Sequence, residues 1–198
     1  MAKIKMCGLR RSEDIGFANK LSPDYIGYVF AKSSKRYVAP EKAAELTKFL
    51  DGNIIPVGVF VDSDFDEIYS IVSAGTIKAV QLHGNESDEL VKRLQEKGAT
   101  VIRAFKVKTT DDIAAANSSC ADYVLLDSGS GSGEVFDWSL ISGMKREYFL
   151  AGGLTAENVA QAVKTLEPYA VDASSCLETE GFKDFNKMAA FAQAVRNV

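Results

Sequence analysis

Histidine is almost missing from this chain: His83 is the only one in 198 residues, and cysteine is limited to Cys7, Cys120 and Cys176. No pair of cysteines has metal-ligand spacing, and a single histidine cannot complete a zinc set with them. An odd number of widely spaced thiols fits a reduced, cytoplasmic protein. An excess of positive charge is also lacking. Lys and Arg total 23 against 27 Asp and Glu, for a net charge of -4 and a pI near 5.2. That balance argues against non-specific binding to nucleic acid, which needs a basic surface. Lys3, Lys5, Arg10 and Arg11 interrupt the start of the chain, so it has no apolar h-region and no signal peptide is expected. The longest apolar runs, such as "IIPVGVFV", are far too short to span a bilayer. Low complexity is confined to "SGSGSG" at 128–133. No linker divides the chain, and a single domain over 1–198 is expected.

What is present is a repeated alternation. Short β-branched or aromatic runs end in Gly, Asp or Ser: "KIKMCG" (3–8), "YIGYVF" (25–30), "IIPVGVFV" (54–61), "AVQLHG" (79–84), "TVIRAFKV" (100–107), "YVLLDS" (123–128), "YFLAGG" (148–153) and "AVDASS" (170–175). Their starts lie 21 to 29 residues apart, room for a strand, a helix and two loops. Helical patterns fill the intervals, the weakest being "DWSLISGMKRE". Ser12, Pro40 and Thr155 stand where helix starts are expected, and Gly98 where a helix should stop. Alternating βα units imply parallel strands with right-handed crossovers. Eight of them close most economically into an α/β fold of the (β/α)₈ TIM-barrel type, here in a short form. The competitor is a doubly wound open sheet, but "CGLRRS" after the first run is not its G-x-G-x-x-G phosphate motif.

In such a barrel the active site is built at the carboxyl ends of the strands. The strand-end residues are Cys7, Phe30, Asp62, His83, Lys106, Asp127, Gly152–Gly153 and Ser174–Ser175. The glycine turn in "AGGLTAENV" and the serines of "SSCLETEG" offer backbone amides for a phosphate after strands seven and eight. Arg36, in "KSSKRYV", is placed to reach the same ligand from the loop after strand two, though a solvated surface arginine reads the same way. Strands one and six face each other across an eight-stranded ring, so Cys7 and Asp127 should bracket a small sugar-like ligand. One base and one acid on opposite sides suit a proton-transfer isomerisation. Lys5 shares the strand face of Cys7 and is a cation able to lower a thiol's pKa. Two other uses stay open: Cys7 as a small hydrophobe at a strand end, and a Cys–His–Asp nucleophilic triad. The triad is disfavoured because His83 is not on a strand next to Cys7, and His83 reads as a polar pocket residue.

Seven spaced motifs then narrow the reading. "KMCGL", "SSKRYV" (33–38), "GVFVD" (58–62), "QLHG" (81–84), "LLDS…GSG…FDW" (125–138), "LAGGLTAENV" (150–159) and "VDASSCLE…GFKD" (171–184), in order over nearly the whole chain, resemble the phosphoribosylanthranilate isomerases of tryptophan biosynthesis. The resemblance implies an Amadori rearrangement without cofactor or metal, on a phosphorylated small molecule, by a monomer or homodimer. It assigns Asp127 as the acid that protonates the ribose ring oxygen and Cys7 as the base that removes the C2 proton. It also implies Arg36 and Asp172 as substrate-binding residues, and phosphate at Gly152, Gly153, Ser174 and Ser175. A related histidine-pathway isomerase is expected to carry aspartate where Cys7 stands. The chain departs from the family pattern at Ser130–Gly133, in the short gap between Asp127 and Gly131, and at Cys176, where glycine is common and a larger side chain is expected to crowd a phosphate-binding amide.

Overall fold

The computed structural model describes residues 1–127 and 137–198. Eight parallel strands, β1 (Lys3–Cys7), β2 (Tyr25–Val29), β3 (Ile55–Phe60), β4 (Ala79–Leu82), β5 (Thr100–Lys106), β6 (Tyr123–Asp127), β7 (Tyr148–Leu150) and β8 (Ala170–Ala173), follow one another around a closed barrel. Closure is made by β1, which pairs with β2 (Cys7 opposite Gly27) and with β8 (Lys5 opposite Asp172). The expected barrel is therefore the observed one.

Strand alternation sorts the side chains into two shells. Ile4, Met6, Ile26, Phe60, Leu82, Val124, Leu126 and Val171 face outward and pack with Ile15, Leu46, Ile68, Val91, Leu94 and Phe191 of the helices. Tyr25, Val57, Ala79, Ile102, Leu125, Phe149 and Ala170 fill the interior. Each fully buried Val, Leu, Ile, Phe or Met among them contributes about 1.5–3 kcal/mol through removal from water. At the amino end Tyr169 hydrogen-bonds Lys3 Nζ (2.9 Å), Tyr25 (3.1 Å) and Tyr123 (3.3 Å), which plugs that end of the barrel. The functional space is left at the other end.

The helices are α1 (Ser12–Leu21), α2 (Pro40–Thr47), α3 (Phe65–Ser73), α4 (Asp88–Glu96), α5 (Thr110–Ser118), α6 (Val159–Leu166) and α7 (Phe185–Arg196). Pro40 opens α2 and Gly98, at φ 81°, follows α4, both as expected. Two start signals differ. Ser12 is the first helical residue rather than the cap, because Asp14 accepts the backbone N–H of Arg11 (3.0 Å) and anchors its guanidinium (2.8 Å). Thr155 opens a turn closed by Asn158, whose Oδ1 accepts the Thr155 N–H at 2.8 Å, and α6 begins only at Val159. The weak "DWSLISGMKRE" pattern yields a 3₁₀ turn over Trp138–Gly143. A small antiparallel hairpin, β9 (Glu178–Thr179) and β10 (Phe182–Lys183), was not expected. Among the described residues, no helix is long and apolar enough to cross a membrane.

Candidate active site

A cavity of about 360 Å³ opens at the carboxyl ends of the strands. All nine candidate residues border it: Cys7, Arg36, His83, Asp127, Gly152, Gly153, Asp172, Ser174 and Ser175. Of the other strand-end residues, Phe30, Asp62 and Lys106 do not. Phe30 points outward and stacks on Phe60 at 5.1 Å. Asp62 turns aside at φ 51° to accept the Asn85 N–H at 2.7 Å. Lys106 ends β5 exposed, outside this lining. Cys176 is also absent from the lining; it is half-buried, and burial pushes its thiol up to about 11. The 128–133 segment and its short gap lie outside the described residues.

Cys7 and Lys5 project from the same face of β1, as alternation requires. Lys5 is fully buried, and its Nζ lies 2.8 Å from Asp172 Oδ2. Burial pushes the Cys7 thiol up, while the Lys5 and Lys183 ammonium groups pull it back. The net direction is upward, so the resting sulfur at neutral pH is a thiol whose ionisation these two cations assist. Burial likewise raises the Asp172 carboxyl against the opposing pull of Lys5. The thiol needs room, and Gly27 supplies it: a Cβ there would stand 2.6 Å from Cys7 Sγ.

Asp127, ending β6, faces the cavity with its Oδ2 3.4 Å from His83 Nε2. Gln81 Nε2 lies 3.1 Å from His83 Nδ1. Donation by the Gln81 amide leaves Nδ1 as acceptor and the ring proton on Nε2, toward Asp127. His83 thus faces Asp127 and Gln81, and among the described residues no hydrogen bond joins it to Cys7. The arrangement is a thiol and a carboxylate on separate strands around one cavity, with His83 beside the carboxylate and not bonded to the thiol among the described residues. Among the described residues no cluster of three or more His, Cys, Asp or Glu is arranged to hold a metal ion.

Two loops, after β7 and β8, border the cavity. Gly152 and Gly153 sit consecutively at φ 83° and 68°, a conformation that favours glycine, and Asn158 Nδ2 clamps the turn by donating to Gly153 O at 2.9 Å. Ser174 Oγ donates to the Cys7 carbonyl at 3.0 Å, joining this loop to β1. Arg36 is anchored rather than solvated. Its Nε and Nη2 donate to the two carboxylate oxygens of Glu178 at 2.6 and 2.8 Å. Gln81, Glu178 and Lys183 carried no role in the sequence reading. The hairpin had one local signal, Glu180–Gly181, both at positive φ (53° and 80°) as a two-residue type I′ turn demands.

Residues 4–194 match the family model described as N-(5'-phosphoribosyl)anthranilate (PRA) isomerase. The N-(5'-phosphoribosyl)anthranilate isomerase of Endomicrobium trichonymphae is 43% identical over 204 residues, covering all of both chains. The crystal structure of phosphoribosyl anthranilate isomerase from Thermotoga maritima superposes with a TM-score of 0.92 at 36% identity, again over all of both chains. A further solved phosphoribosyl anthranilate isomerase, in complex with reduced 1-(o-carboxyphenylamino)-1-deoxyribulose 5-phosphate, gives a TM-score of 0.90 at 34% identity over all of both chains. With the barrel, the cavity and these full-length likenesses in hand, the chain belongs to the N-(5'-phosphoribosyl)anthranilate isomerase family.

Proposed function

We propose that this chain converts N-(5-phosphoribosyl)anthranilate to 1-(2-carboxyphenylamino)-1-deoxyribulose 5-phosphate, with Asp127 as general acid and Cys7 as general base. Asp127 gives a proton to the ribose ring oxygen, the C1–O bond breaks, and the aniline nitrogen lone pair forms the protonated imine. Cys7, ionised by loss of its proton to solvent, takes the C2 proton as thiolate; the C2–H electrons form the C1–C2 double bond of the enolamine as the C1–N π electrons return to nitrogen, and proton gain at C1 with loss from the C2 hydroxyl gives the ketone. Each proton transfer of this kind typically contributes ~10²–10⁴ in rate. Lys5 and Lys183 make the thiolate attainable despite its burial. The His83 N–H faces the carboxylate that Asp127 becomes. Gly152, Gly153, Ser174 and Ser175 hold the phosphate, Arg36 receives the anthranilate carboxylate, and Asp172 binds the sugar.

The observation that carries this reading is that Cys7 and Asp127 border one cavity together with the paired glycines and Arg36. The working form in this reading is a monomer or a homodimer. The setting is a reducing cytoplasm, with no nucleic-acid or membrane partner. Incubating the purified protein with N-(5-phosphoribosyl)anthranilate should extinguish anthranilate-type fluorescence with enzymatic turnover. Folded protein that leaves the fluorescence at the uncatalysed rate refutes the reading.

A further inference from the structure

Glu178 sits at the centre of a buried ion cluster that the proton chemistry does not use. Its side chain is 7% exposed and faces two cations: Arg36 at 2.6 Å and Lys183 at 2.8 Å. The Lys183 side chain is 1% exposed. Register puts Glu178 and Lys183 directly opposite each other on the β9–β10 hairpin. Lys183 Nζ also donates to the Ser174 carbonyl at 2.9 Å, and Ser174 is bonded in turn to the Cys7 carbonyl. On its other side Arg36 lies over Gly8, where an added Cβ would meet Arg36 Cδ at 2.5 Å.

A buried ion pair adds little to stability by itself, because desolvation offsets the attraction. A two-point fork onto a carboxylate does fix a guanidinium in plane and rotation. Of the five guanidinium N–H donors, Glu178 takes two, which leaves three in a set orientation for a ligand. Against the upward push of burial, Arg36 and Lys183 together hold the Glu178 carboxyl below its ordinary range, and Lys183 ties the hairpin to the strand end that carries Cys7. We propose that Glu178 is a positioning residue: it holds Arg36 pre-oriented for the substrate's aryl carboxylate, and the β9–β10 hairpin is the device that presents it. This rests on the reading that Arg36 receives that carboxylate.

A double-mutant cycle tests the two separately. Steady-state kinetics on N-(5-phosphoribosyl)anthranilate are measured for the wild type, Arg36→Ala, Glu178→Gln and the double variant. Loss of a charge-assisted contact is expected to raise KM about 10- to 100-fold in each single variant. kcat should change little, because the contact is present in the ground state as in the transition state. In the Arg36→Ala background, Glu178→Gln should raise KM no further. If Arg36→Ala leaves KM unchanged, the role given to Arg36 fails. If Arg36→Ala raises KM but Glu178→Gln does not, or if the two effects multiply independently, Glu178 does not act through Arg36 and the proposal is overturned. Should Glu178→Gln not fold with Lys183 left uncompensated, Glu178→Gln/Lys183→Met, which removes both charges, is compared with and without Arg36→Ala and judged on KM alone, because loss of Lys183 also bears on the Cys7 thiol.

Discussion

Gly27→Ala is the smallest change expected to silence the enzyme without touching a reactive group. Gly27 lies opposite Cys7 in the β1–β2 ladder. Its backbone is not among the positive-φ positions, so alanine adds no local strain there. The new methyl would stand 2.6 Å from Cys7 Sγ and 3.2 Å from Cys7 Cα and Cβ. Ordinary contact begins at 3.4 Å, so the sulfur must retreat by about 0.8 Å or the strands must part. Overpacking of this size costs about 1–3 kcal/mol, and each kcal/mol lowers Tm by roughly 2–4 °C in a chain of this length. A displacement near 1 Å at a reacting atom is worth about 10² in rate. The loss should appear in kcat, with KM little changed, because substrate binding does not depend on the thiol's reach. Thermal unfolding and fluorescence-detected turnover measure both effects. Adding Cys7→Ala to Gly27→Ala removes the 2.6 Å contact with Sγ, leaving only those at 3.2 Å, and should recover most of the lost Tm while turnover stays lost. A folded Gly27→Ala enzyme with kcat within about threefold of wild type refutes the claim that this glycine seats the catalytic sulfur.

Two further outcomes follow from the same geometry. Lys5 opposes the upward push of burial on the Cys7 thiol, so Lys5→Met should move the thiol's pKa higher. The alkaline-rising limb of the kcat/KM profile should shift to higher pH; a limb that stays put, or moves down, contradicts the role given to Lys5. Cys176 does not border the cavity, so Cys176→Gly should leave KM within about twofold. A large fall in KM on that substitution would mean that the side chain does obstruct the phosphate loop.

Local period carried most of what was legible in the sequence. Alternation along "KIKMC" put Lys5 and Cys7 on one face, and the structure keeps them there, inside the barrel. The repeating strand–helix spacing dictated eight units, and their closure puts Cys7, Asp127 and the two phosphate-loop candidates around one mouth. Cap signals were less dependable, because they depend on competing side chains. Asp14 takes the backbone N–H groups of Arg10 and Arg11 (2.9 and 3.0 Å), which shifts the cap off Ser12. The Arg36–Glu178 fork joins residues 142 positions apart, a separation over which no periodicity speaks. Gln81 was hidden differently. It reads as one polar residue in a buried strand, and its value lies in the nitrogen of His83 that it faces. Phe30 and Asp62 looked like site residues because they end strands. One points outward and the other turns away, and parity at the strand ends was the available signal.

The relay itself is tested most directly by turnover of N-(5-phosphoribosyl)anthranilate in Cys7→Ser and in Asp127→Asn, each first verified as folded by its thermal transition. A hydroxyl that stays protonated in one variant and no transferable proton in the other should each lower kcat by about 10²–10⁴, with the transition little moved. Near-normal kcat in either folded variant would contradict the assignment of base or acid to that residue.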